Sequence, residues 1–178
     1  FENVWIQPAA GDDGGALGAA MFIWHQLLGN ERLPVFDGQF DFQSGSLLGP
    51  SYDDDSISAM LDQQCDDFQT AADDDELCDI TSRLLADGKV VAWFQGAMEF
   101  GPRALGSRSI LADPRDRSMH TRLNATVKNR ESFRPFAPAA LAEHAGEHFQ
   151  FKLGERFPYM LFAVPALSAS RFPVIANV

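Results

Sequence analysis

The chain has 178 residues, 46% of them hydrophobic and 11% aromatic, which is ample for a folded core and excludes wholesale disorder. A net charge of −11 excludes non-specific nucleic-acid binding, which needs a positive field. The charge is uneven: residues 103–134 hold eight of the 14 basic groups against Asp113, Asp116 and Glu131, so that window is +5 and the remainder is −16. A basic island in an acidic chain points to a local anion site.

In chain order, "VWIQP" (4–8) reads as a strand, "AAGDDGG" (9–15) as a tight polar turn, and "ALGAAMFIWHQLLG" (16–29) as a helix closed by Gly29. That helix is apolar almost all round, which predicts burial. Residues 30–56 are rich in Gly, Pro and Asp with no sustained period and read as a linker. A short helix follows over 57–65. "DDDELCDITSRLLADG" (73–88) is a helix with acids at its front and Gly88 at its stop. "KVVAWFQ" (89–95) is a buried strand, and "SRSILA" (107–112) is another. Residues 113–129 form a helix with Asp113 as cap and Pro114 in the first turn. Residues 133–141 are extended, 142–149 helical, and "YMLFAVPAL" (159–167) a strand. Alternating helices and strands predict an α/β fold with a mixed sheet. Both ends stop on apolar, strand-like runs, so the chain is expected to be a piece of a longer one.

Three groups of residues can carry chemistry. The opening "GDDGGALG" lets backbone N–H groups approach an anion, and Asp12 and Asp13 can ligate a hard cation; a capped turn explains the same residues. It is neither of the standard nucleotide fingerprints. In "QGAMEFGPRALGSRSIL" (95–111), Arg103 and Arg108 sit among glycines 96, 101 and 106, where a rigid guanidinium fork can grip phosphate or carboxylate. Arg103, Lys128 and Arg134 can converge on one ligand, whereas Arg115, Arg117, Arg122 and Arg130 read as surface ion pairs with nearby acids. His144 and His148 stand four apart without a third ligand, and a solvated helix face is the simpler reading. Cys65 and Cys78 form neither a metal spacing nor a disulfide framework, which fits a cytoplasmic home. The acid runs at 53–55 and 73–76 read as solvated charge.

"FGPRALGSRSILADPR", the segment "LN…VK.RE.FRPFAP" and the upstream "QPAAGDDGGALGAA" together resemble the O-carbamoyltransferases of the nodulation and antibiotic-biosynthesis family, the NodU- and TobZ-like proteins. The resemblance implies that residues 1–29 end an actin/hexokinase-like ATPase lobe, that 30–71 are a linker, and that 72–178 are a YrdC-like domain, truncated at its C-terminus, with a mixed twisted sheet and flanking helices. It implies a domain that joins carbamoyl phosphate to ATP, giving carbamoyl-adenylate and pyrophosphate, after which the carbamoyl group passes to a hydroxyl of a small-molecule acceptor. Arg103, Lys128 and Arg134 match the positions expected to act on carbamoyl phosphate and the adenylate, with Gly101, Ser107 and Arg108 completing the nucleotide site. Magnesium would accompany the ATP. Asp12 matches a metal-ligating aspartate of the ATPase-like lobe, where the divalent metal is expected to be iron. No nucleic acid or membrane partner is implied, and a homodimer is left open. Two other readings stand beside it: a non-catalytic anion- or nucleotide-binding module, and threonylcarbamoyl-adenylate synthesis for tRNA modification.

Overall fold

The computed structural model describes residues 4, 6–34, 42–64, 67–150, 157–167, 172 and 174. Five helices, α1 (Asp12–Phe22), α2 (Asp54–Gln64), α3 (Asp74–Ala86), α4 (Ser118–Arg122) and α5 (Ala145–His148), accompany two strands, β1 (Val91–Phe94) and β2 (Arg108–Leu111), among those residues. The two strands pair as an antiparallel sheet, and the Gln95 N–H donates to Ser107 O at 3.0 Å just past its end. The fold is thus α/β, but the sheet has two strands among the described residues, where a larger mixed sheet was expected.

The chain divides into two compact units. The first comprises residues 1–67, 93–109 and 158–161; the second comprises 68–92, 110–157 and 162–178.

In the first unit, the expected strand at 4–8 does not form: Val4, Ile6 and Gln7 carry no strand pairing, and Trp5 lies outside the described residues. The helix instead starts at Asp12, four residues before the expected position. Gly11 precedes it at φ 152°, and the Asp12 and Asp13 carboxylates occupy the first turn, where the helix dipole favours negative charge. The Gly14 N–H donates to Ala9 O at 3.0 Å, and a Cβ on Gly14 would stand 2.6 Å from that oxygen. Gly14 is therefore required by close backbone contact within the chain. The wider turn Ile23–Leu27 continues α1, and Gly29 follows at φ 70°. The expected burial of this helix is not found: Phe22, Trp24 and Leu27 are 66%, 53% and 74% exposed. Apolar residues all round a helix signal burial only when enough chain surrounds it, and here too little does.

Part of the expected linker is ordered against the loop that follows β1. The Gly49 N–H donates to Met98 O at 2.9 Å, Met98 N–H to Pro50 O at 3.0 Å, and Phe100 N–H to Ser46 O at 2.6 Å. A Cβ on Gly49 would stand 2.7 Å from Met98 O, so the glycine permits this approach. Tyr159 is buried in the same unit, its hydroxyl accepting from the Gly45 N–H at 3.3 Å. Helix α2 starts three residues before the expected 57, because Asp53 Oδ1 takes the Ser56 N–H at 2.8 Å. Its expected last residue, Cys65, lies outside the described residues.

In the second unit α3 follows its sequence signals closely. Asp73 Oδ1 accepts from the Glu76 N–H at 2.9 Å while Glu76 Oε2 accepts from the Ala72 N–H at 2.6 Å, a reciprocal cap. Gly88 ends the helix at φ 73°. The acids at 73–76 stand at the front of the helix as expected, exposed to solvent, with Asp73 as its cap. The helix expected over 113–129 begins only at Ser118. Asp113 accepts from the Arg115 backbone and guanidinium instead of capping a helix, and Asp116 takes the Ser118 N–H and hydroxyl, each at 2.8 Å. Asp113 and Asp116 thus each satisfy a local turn, a standard competitor of helix in this residue type. A wider turn, Leu123–Val127, extends α4 to Lys128. Met119, Leu123 and Val174 form the core here, with Val90, Ala112 and Phe136 packed on it.

The sheet strands are shorter and wetter than expected. β1 alternates half-buried and exposed, with Phe94 54% exposed, so it is not a buried strand. The expected strand over 159–167 reduces to one antiparallel bridge between Ala166 and Phe149. Helix α5 spans four residues of the expected eight.

Candidate functional site

The loop after β1 is built around Glu99. Its side chain is fully buried, and Oε1 accepts from the backbone N–H groups of Leu105 (2.8 Å), Ser107 (2.6 Å) and Arg108 (3.2 Å). Oε2 accepts from Arg108 Nε at 2.8 Å, and a terminal guanidinium nitrogen of Arg108 donates to the Glu99 carbonyl. Burial pushes the carboxyl's pKa up. The Arg108 hydrogen bond and the backbone N–H groups outweigh that and hold it at about 2. Glu99 is therefore an anion that the protein itself has already saturated. Glycines 96, 101 and 106, all at positive φ, let the chain turn tightly enough to bring these donors together.

Each residue expected at the site has a definite place. Arg103 is exposed in the span between Glu99 and its first anchored amide, and its side chain meets no partner among the described residues. Arg108 is occupied by Glu99, with its side chain 33% exposed. Ser107 is buried beside the carboxylate through its backbone. Gly101 has φ 109°, and a Cβ there would stand 2.8 Å from the Ala9 Cβ, so its missing side chain makes room for protein. All four belong to the first unit, as does Asp12, which is exposed on the first turn of α1.

Lys128 and Arg134 belong to the second unit. Lys128 closes the wide turn after α4, and its side chain is exposed with no partner among the described residues. Arg134 pairs with Glu131 at 3.1 Å, both side chains being more than half exposed. The backbone between them is held by Asn124, which is 1% exposed. Its Nδ2 donates to Arg134 O at 3.1 Å, its Oδ1 accepts from Arg130 Nε at 2.7 Å, and the His120 ring lies 3.0 Å from Arg134 O. Arg130 also stacks over Phe136, 4.7 Å from the ring centre.

The remaining candidates are accounted for locally. Arg115 pairs with Asp113, as the ion-pair reading expected. Arg122 donates to Gly88 O at 2.9 Å while its charge helps the Ser118 hydrogen bonds to lower the Asp116 pKa, and Arg130 donates to Asn124 in place of an acid. His144 Nδ1 meets Glu147 Oε1 at 2.7 Å, while His148 lies edge-on to Phe149 and Phe172; the two do not share a ligand site. Cys78 is a free, exposed thiol. Among the described residues no group of three or more His, Cys, Asp or Glu side chains is placed to hold a metal. Among the same residues no helix is long and apolar enough to cross a membrane.

Sequence reasoning missed Glu99 and Asn124. A lone acid within a run holding Arg103 and Arg108 is a usable signal for the first. A single Asn on a helix face gives none for the second.

Residues 82–178 match the family described as Carbamoyltransferase C-terminus. A Synechocystis sp. protein is 47% identical over 178 residues, covering 98% of this chain and 28% of that protein. Nodulation protein NolO of Bradyrhizobium diazoefficiens is 44% identical over 92% of this chain and 29% of its own. The 3'-hydroxymethylcephem-O-carbamoyltransferase of Amycolatopsis lactamdurans is 35% identical over 91% of this chain and 27% of its own. The chain belongs to the carbamoyltransferase family, in the part that includes the family's C-terminal region. It spans just over a quarter of the length of these relatives.

Proposed function

We propose that the protein carrying this chain is an O-carbamoyltransferase, and that this part binds ATP and carbamoyl phosphate and forms carbamoyl-adenylate. The carbamoyl group then passes to a hydroxyl of a small-molecule acceptor. The balance requires one water: carbamoyl phosphate, ATP and water give carbamoyl-adenylate, pyrophosphate and phosphate. The adenylate's carbamoyl carbon is then taken by the acceptor oxygen, releasing AMP and the hydroxyl proton. Both starting compounds are polyanions, so catalysis rests mainly on charge neutralisation and alignment. Arg103, Lys128 and Arg134 are the cations for that task, Arg103 being the one most available in its loop. Residues from about 72 onward are read as a YrdC-like domain and residues 1–29 as the end of an ATPase-like lobe. Magnesium on the triphosphate would share in neutralising its charge. Asp12 would give one ligand to a metal in that lobe, and no step is assigned to it.

The observation that carries the proposal is the conjunction of family membership with an exposed, unpaired Arg103 in a loop whose other charges are already satisfied. The test is pyrophosphate release from ATP by the full-length protein. Release that depends on carbamoyl phosphate is expected. ATP binding with no such release would make the chain a nucleotide-binding module. Release driven by bicarbonate plus threonine would assign it to threonylcarbamoyl-adenylate synthesis.

A further inference from the structure

We propose that Glu99 and Arg108 form a positioning pair that holds the 100–104 span rigid and presents Arg103 to the phosphate-bearing substrate, Arg108 itself being no ligand. The inference rests on the reading of Arg103 as an anion-binding residue. Three observations lead to it. The Glu99 carboxylate is fully buried and takes three backbone N–H groups from one side of the loop, at Leu105, Ser107 and Arg108. Arg108 returns two donors, one to the carboxylate and one to the Glu99 carbonyl, so residues 99 and 108 are tied at both side chain and backbone. The five residues between Glu99 and Leu105 contain Gly101 and Pro102, and Arg103 is their sole charged member.

The electrostatics give the division of labour. A guanidinium whose strongest directions point at a buried carboxylate has little left for a second anion, and an approaching phosphate would meet the Glu99 charge as well. Arg103 has no such competitor among the described residues. A clamp around a short, glycine-containing span also limits the conformations that Arg103 must give up when it binds, which is where a fixed loop improves alignment.

The test uses the full-length protein and the rate of carbamoyl phosphate-dependent pyrophosphate release. Arg103→Gln is expected to lower kcat/KM by about a hundredfold, and Glu99→Gln by about tenfold, by analogy with removal of a transition-state donor and of its support. Because Glu99 acts through Arg103, Glu99→Gln in the Arg103→Gln background should lower the rate by less than about twofold further. Glu99→Gln/Arg108→Gln, a neutral amide pair in place of the ions, should recover activity relative to Glu99→Gln alone. Additive losses, or a double amide variant worse than Glu99→Gln, would overturn the positioning role and return Arg108 to the ligand set. Should Glu99→Gln fail to fold, Arg108→Lys in the Arg103→Gln background carries the same test: a further tenfold loss marks a ligand, and none marks a strut. Wild-type activity in Arg103→Gln would instead remove the reading of Arg103 on which this inference stands.

Discussion

Two carboxylate–guanidinium pairs lie in the two halves of the basic stretch, and they behave as opposites. Glu99 and Arg108 are nine residues apart, yet the carboxylate is fully buried and meets four donors, with a fifth on the Glu99 backbone carbonyl. Glu131 and Arg134 are three apart, closer in sequence, and both side chains remain more than half exposed, with one side-chain contact at 3.1 Å and one backbone bond, Arg134 N–H to Glu131 O, at 3.2 Å. Proximity in sequence decides neither burial nor worth. The first pair is expensive to break because a charge would be left in a dry site, whereas water replaces the second at little cost. The first therefore belongs to the architecture of its loop, and the second is a surface pair that water can replace.

The largest expected effect breaks the buried pair. Glu99→Ala should destabilise the loop by about 4 kcal/mol, since it strands Arg108 and three backbone donors together. Hydrogen exchange at the Leu105, Ser107 and Arg108 amides should accelerate by several hundredfold or more. Unchanged exchange would equate the two pairs.

Acid should discriminate between them next. The Glu99 carboxyl is held at about 2 against an ordinary 4.5, so its folded-state pKa is depressed. The unfolded chain takes up the proton first. The stabilisation is thus fully present above about pH 4.5 and lost as pH falls toward 2, a contribution on the order of 3 kcal/mol. An acid-unfolding profile of Glu99→Gln should lack that component, while Glu131→Gln should retain it.

A smaller effect sharpens the second half. Asn124→Ala removes the buried amide that ties Arg130 to the Arg134 carbonyl and should cost about 2 kcal/mol, read as faster amide exchange across 130–134. The smallest is Glu131→Ala, expected within about 0.5 kcal/mol of wild type in denaturant unfolding. A larger loss there would show the exposed pair to be structural.

What the sequence disclosed follows the range of the forces involved. Helix α3 was legible because its cap, acids and terminal Gly88 act within a few residues of one another. β2 was legible from a short β-rich run between turn residues. The helix expected over 113–129 was misjudged because Asp113 and Asp116 have two local options, capping a helix or closing a turn, and the sequence does not rank them. The burial of α1 was misjudged because an apolar surface signals a partner without supplying one. At the site, the cations were visible as a charge cluster, but their separation into Arg108, which is internally paired, and Arg103, which is not, depends on Glu99 being buried. The lone acid in that run marks Glu99 as a partner for an arginine, but its burial, and which arginine it takes, are properties of the folded loop.

Arg103, and not Arg108, is the residue proposed to meet the activated substrate. The most direct measurement is mass spectrometry of full-length protein supplied with ATP and carbamoyl phosphate, comparing wild type with Arg103→Ala. Carbamoyl-adenylate is expected from the wild type and none above background from the variant. Equal yields from the two would contradict that role for Arg103.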